Sequence, residues 1–127
     1  MLTIRDQQLQ ALALETFELW MVRHLEEFFP EEIAGLTANE ISWRIRAAVK
    51  LARLYGFVED SQLCRYVDLT FILGPAFDED PDLPWASEIL ADRRVTDPEM
   101  RIGLLFGAAQ DHVSRIEETA AGGEARA

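Results

Sequence analysis

Only one cysteine, Cys64, occurs in the chain, which excludes an internal disulfide. Its setting in an apolar helical segment reads it as a small core residue, since buried unactivated thiols are inert. Histidine is nearly as scarce. His24 and His112 fall on separate predicted helices, so neither zinc-ligand spacing nor a Cys/His nucleophile pair is signalled. No glycine-rich phosphate loop is present, and the carboxylates form no pattern that sets two of them across a cleft. The chain is therefore read as a non-enzyme that needs no cofactor and no metal, and its folding is expected to survive a chelator. No apolar run reaches the roughly 20 residues of a membrane helix, and Met1 to Gln10 is too polar for a leader, so a soluble cytoplasmic protein is expected. Basic residues number 12 against 23 acidic ones, and the formal charge of −11 repels phosphate backbones and argues against nucleic acid. Solubility accounts for most of that excess, with a basic protein partner as a second cause.

What the chain does contain is apolar sequence at helical spacing. Its 127 residues, 49% of them hydrophobic, are enough to bury one core without staples. Within Ser61 to Gly74, SQLCRYVDLTFILG, only Gln62, Arg65, Asp68 and Thr70 are polar between the ends, and the apolar residues point in every direction. A helix apolar all round has to be buried, which puts this segment at the centre of a helical protein. Gly74 supplies a left-handed C-terminal position, and Pro75 forbids continuation. Arg65 and Asp68, three apart, either meet on one face or each pair with a neighbouring helix.

Before this segment, a long helix is predicted from Thr3, with Asp6 as a weak capping box, to Pro30. Leu9, Ala13, Phe17, Trp20, His24 and Phe28 recur at helical spacing, and Leu12, Leu19, Val22, Leu25 and Phe29 widen the stripe enough for two neighbours. Glu15, Glu18, Glu26 and Glu27 mark a solvated side, and His24 is a partly buried packing residue. Pro30 to Leu36 is a connector with room for one helical turn. Thr37 and Glu40 then open a helix as a capping box, Ile41, Ile45, Ala48, Ala52 and Tyr55 line its apolar face, and Gly56 with Phe57 suits a Schellman ending. Arg46, Lys50 and Arg53, with Arg44 close by, gather four of the 12 basic residues on this helix as a local strip.

After Gly74, PAFDEDPDLPW has too many prolines and acids for regular structure up to Pro84. Asp78, Asp80 and Asp82 imitate the first three ligands of an EF-hand, but Leu83 replaces the required glycine and Ile89 the required glutamate, so these carboxylates are read as capping and solvating groups. Pro84 begins a short helix carrying Trp85, Ala86, Ile89 and Leu90. Thr96, with Pro98 and Glu99 behind it, starts the last helix, whose apolar side is Met100, Leu104, Ala108 and Val113 with Leu105 and His112. Gly103 and Gly107 either weaken this helix or admit a close neighbour. The expectation is an all-α single-domain bundle of about five helices around a buried central helix, spanning residues 1–118, with a flexible tail over 119–127.

Composition and spacing do not identify a function. Between residues 52 and 92, however, the segments A-R-L-Y-G, C-R-Y-V-D-L, G-P-A-F-D and L-P-W-A-S-E-I-L-A-D follow one another. This pattern, about a third of the chain, resembles small helical proteins encoded in type VI secretion effector clusters beside Tap-type adaptor chaperones, at least one of which acts as a co-chaperone. The resemblance implies an accessory role: binding the adaptor chaperone so that a toxic effector stays stable and is loaded onto the secretion spike. An immunity protein that blocks a neighbouring toxin fits a small acidic helical chain equally well. For either partner, the expected contact region is the loop from Phe77 to Trp85 together with the strip Arg46, Lys50 and Arg53. Phe77, Leu83 and Trp85 would act as anchors, and Asp78, Asp80 and Asp82 as steering charges. The alternative is that those apolar residues pin the loop to the bundle while the strip balances an acidic surface.

Overall fold

The computed structural model describes residues 3–126, apart from the side chains of residues 6, 9, 10 and 121–126. Among the described residues six α-helices follow in order: α1 (Ile4–Phe28), α2 (Pro30–Ile33), α3 (Ala38–Leu54), α4 (Asp60–Leu73), α5 (Pro84–Ala91) and α6 (Pro98–Arg126), with a 3₁₀ turn at Phe77–Glu79 between α4 and α5. With no strand among the described residues, the protein is an all-α single domain. The four-residue α2 is the helical turn for which the connector had room. No helix among the described residues is long and apolar enough to cross a membrane.

The chain is assembled around α4, which packs against α1, α2, α3, α6 and the 3₁₀ turn. Leu63, Tyr66, Val67, Leu69 and Phe71 are buried on it together with the polar Gln62, Asp68 and Thr70. Burying polar groups is costly unless each finds a partner; Gln62, Asp68 and Thr70 each find one, whereas the Tyr66 hydroxyl, also buried on α4, has none among the described residues. Thr70 Oγ1 donates to the Val67 carbonyl at 2.7 Å. Gln62 accepts from the backbone N–H groups of Val58 and Glu59 at 3.3 and 3.4 Å and donates to Glu99 of α6 at 3.1 Å. Arg65 and Asp68 do not pair with each other: Arg65 reaches Glu99 at 3.0 Å and Asp68 reaches His24 of α1. Arg44, expected beside the basic strip, turns inward, donating to the Thr70 carbonyl at 2.8 Å with its guanidinium 4.2 Å above the Phe71 ring.

Local sequence sets most of the helix ends. Thr37 Oγ1 accepts from the Glu40 N–H at 3.1 Å, as a cap should. At the other end of α3, Phe57 N–H reaches the Ala52 carbonyl and Gly56 N–H the Arg53 carbonyl, both at 3.0 Å, which is the Schellman pattern. Gly56 has φ +93°, so its lack of a Cβ is required there. Gly74 differs from expectation: at φ 116°, ψ 153° it adopts an extended conformation open essentially only to glycine rather than a left-handed helical one. The cap of α6 is Asp97, whose Oδ1 accepts from the Glu99 N–H at 3.1 Å, not Thr96. Proline favours the first helical position, so the residue before Pro98 takes the cap.

The buried side of α6 is also rotated from the one expected. Ile102, Leu105 and Ala109 are buried, whereas Met100 and Leu104 are 58% and 48% exposed, because two apolar stripes overlap on this helix. Gly103 and Gly107 have open space where a Cβ would stand, so no helix approaches closely there. The backbone of α6 is helical from Pro98 to Arg126. Glu18 is a further correction. It is buried rather than solvated, and it accepts from Arg46 Nε at 2.7 Å.

Leu69 and Phe71, 1% and 6% exposed, test the central position of α4. Replacing either by Ala is expected to destabilise the fold by about 2 to 5 kcal/mol in urea unfolding, the range for truncating packed side chains. Losses under about half a kcal/mol at both sites would contradict this packing.

An apolar groove between α1 and α4 with a thiol, an imidazole and a carboxylate at its floor

One edge of the apolar stripe on α1 is used by the core: Phe17, Met21 and Leu25 are buried. The other edge is not covered. Leu12, Leu19 and Trp20 are 59%, 69% and 53% exposed. Beside this edge lies a groove of about 970 Å³, walled by Leu12, Ala13, Phe17 and Trp20 of α1 and by Asp60, Cys64 and Arg65 of α4. Thr16 and Ser61 add hydroxyls to an otherwise mainly apolar wall.

At the floor, three reactive side chains meet. His24 Nε2 is 3.0 and 3.1 Å from the two carboxylate oxygens of Asp68, and 3.7 Å from Cys64 Sγ. Cys64 Sγ is 4.0 Å from Asp68 Oδ2, its thiol donating toward that oxygen. The His24 ring lies between aromatic neighbours, stacked on Trp20 at 5.1 Å and 16° and tilted against Phe28 at 5.1 Å. Backbone spacing explains the convergence. Cys64 and Asp68 are four apart and share one face of α4, while Trp20, His24 and Phe28 repeat at four on α1.

The arrangement is not a nucleophile relay. In a relay the acid holds one imidazole nitrogen while the other faces the nucleophile. Here the same atom, Nε2, faces both Asp68 and Cys64, so with Asp68 ionised Nε2 carries the proton and has no lone pair for the thiol. Burial, and then the charge of Asp68, push the Cys64 thiol up to about 12, the reverse of what an attacking thiolate needs. Burial also raises Asp68 above the ordinary carboxylate range, while its hydrogen bond to His24 opposes that rise.

The loop and strip singled out in the sequence are placed differently from one another. Phe77 and Leu83 are buried at 1% and 5% exposure, Trp85 is half-buried with its ring 5.9 Å from that of His112, and Asp78 is buried, accepting from the Tyr55 hydroxyl at 2.6 Å. These residues pin the loop to the bundle, the alternative the sequence left open. Asp80 caps the following turn through the Asp82 N–H at 2.9 Å, and Asp82 is exposed. On α3, Arg46 is engaged by Glu18, whereas Lys50 and Arg53 are exposed. The groove went unread in the sequence because a wide apolar stripe looks the same whether one neighbour covers it or two. Only the four-residue step from Cys64 to Asp68 and the place of His24 on the stripe hinted at the cluster. Comparison with protein-family models, with curated proteins and with solved structures finds no match to the chain.

At pH 8 a thiol held near 12 is only about one part in ten thousand thiolate, against roughly a quarter for an ordinary cysteine near 8.5. Iodoacetamide is therefore expected to alkylate Cys64 at least about a hundredfold more slowly in the folded chain than in urea, as followed by mass spectrometry. Rates within about threefold of each other would contradict the environment described for the thiol.

Proposed function

We propose that the chain is an accessory co-chaperone, a protein-binding module that docks on an adaptor chaperone and helps to stabilise a type VI secretion effector and load it onto the spike. The observation that carries the binding role is the uncovered apolar edge of α1, Leu12, Leu19 and Trp20, beside the groove it shares with α4. Exposed apolar surface of this kind marks sites of protein contact, and a groove between two helices suits the apolar face of a third. The choice of partner rests on the resemblance carried by residues 52 to 92. The chain's formal charge of −11, with Asp60 in the groove wall, favours a docking helix flanked by basic residues. Lys50 and Arg53 on α3, with Arg46, and Asp80 and Asp82 on the loop are steering charges in this proposal, and Trp20 is its central anchor.

The test uses purified adaptor without the effector. Wild-type chain is expected to bind it, and Trp20→Ala or Leu12→Asp to weaken binding by about 2 kcal/mol or more, roughly thirtyfold in Kd. Both positions are half-exposed or more, so the variants are expected to keep their fold, which circular dichroism checks. Unchanged affinity in both variants, with loss on combined Arg46, Lys50 and Arg53→Ala, would move the docking surface to α3. Binding to the toxin alone, with rescue of cells that express it, would replace the co-chaperone reading by the immunity one.

A further inference from the structure

We infer that His24, Cys64 and Asp68 form a three-ligand site for a thiophilic divalent cation, Zn²⁺ being the ion the donor set suits, with the fourth position open to the groove. The first support is geometric. The three donor atoms all lie within 4.8 Å of one another, the one such group among the described residues. A tetrahedral Zn²⁺ with bonds of about 2.0 to 2.3 Å separates its nitrogen, sulfur and oxygen ligands by about 3.4 to 3.6 Å. Measured to one ligating oxygen, Asp68 Oδ2, the observed separations are 3.1 Å from His24 and 4.0 Å from Cys64, with 3.7 Å between His24 and Cys64. Reaching the tetrahedral values takes shifts of about 0.4 Å, within the reach of side-chain rotation on two packed helices.

Charge is the second support. Asp68 is buried, and among the described residues its one ion-pair partner is His24, because Arg65 on the same helix is turned to Glu99. A buried carboxylate is costly unless paired or bound to metal. A divalent cation would neutralise the carboxylate and the thiolate together, with the imidazole as a neutral third ligand. Binding releases the thiol proton and moves the imidazole proton from Nε2 to Nδ1, so affinity falls as pH falls.

Softness and support select the ion. Thiolate and imidazole with one carboxylate suit zinc, whereas calcium and magnesium require all-oxygen sets. The stack of Trp20 on His24 fixes the ring plane, as ligating imidazoles need. Three protein ligands leave a position that water or a side chain of a docking partner can fill. A ligand set split between residues 40 apart in the chain has no sequence signature, which is why the sequence reads as metal-free.

Cobalt(II) reports this site directly, because a thiolate-to-cobalt charge-transfer band in a chain with one cysteine can come only from Cys64. Titration of the full reduced chain is expected to show that band, saturating at one equivalent and bleached by zinc. Cys64→Ser should abolish it. His24→Gln and Asp68→Asn should each weaken binding by about tenfold or more, at least the loss seen on removing a supporting residue around a metal. X-ray absorption of the wild-type zinc complex gives a readout that no variant's folding affects, with one sulfur and at least one imidazole expected in the first shell. Absence of the charge-transfer band, a first shell lacking either sulfur or imidazole, or unchanged affinity in both folded variants would overturn the site.

Discussion

A helix buried over most of its surface constrains everything else in this protein. Between its ends α4 carries four polar residues, and the structure must bring a partner to each one it buries. Glu99 of α6 serves Gln62 and Arg65, His24 of α1 serves Asp68, and Thr70 satisfies its hydroxyl on its own helix while its carbonyl receives Arg44 of α3. The same side chains that make α4 tolerable in a core therefore fix which helix lies on which side of it. Apolar area supplies the driving force, about 1.5 to 3 kcal/mol for each fully buried large side chain, and the polar pairs supply the register.

The groove follows from that arrangement. Since α1 contributes both core residues and the partner of Asp68, it has to present Phe17, Met21, Leu25 and His24 toward α3 and α4. Its stripe is wider than this contact, and no described helix covers the remainder, so Leu12, Leu19 and Trp20 stay in water. Where the uncovered edge meets α4, the polar pair at the interface becomes the floor of a cleft. Scaffold and candidate site are thus one piece of physics: His24 bridges α1 to the central helix and also brings a nitrogen within reach of the thiol.

Much of this was legible in the residues. The central helix, the Gly56 and Thr37 ends and the start of α5 at Pro84 are local or compositional signals, and these survive in the structure. What depended on choosing between neighbours was not legible. Glu18 looked solvated until Arg46 met it, Arg44 looked like part of a surface strip until it lay on Phe71, and the two stripes of α6 could not be ranked without knowing where α4 lies. The loop's apolar residues were ambiguous for the same reason. A Phe in an irregular acidic segment is an anchor or a pin depending on what stands beneath it, and beneath Phe77 stands Tyr66, with ring centres 5.2 Å apart.

Native-state amide hydrogen exchange tests the primacy of α4 most directly, since it ranks segments by the free energy needed to open them. The amides of Val67 to Phe71, sealed by four neighbouring helices and the 3₁₀ turn, are expected to exchange only through global unfolding, with protection equal to the full unfolding free energy. The exposed outer part of α6 near Glu117 and Glu118 is expected to exchange far sooner. If instead the α4 amides exchange as readily as those of α6, the central helix is not the element on which the others depend.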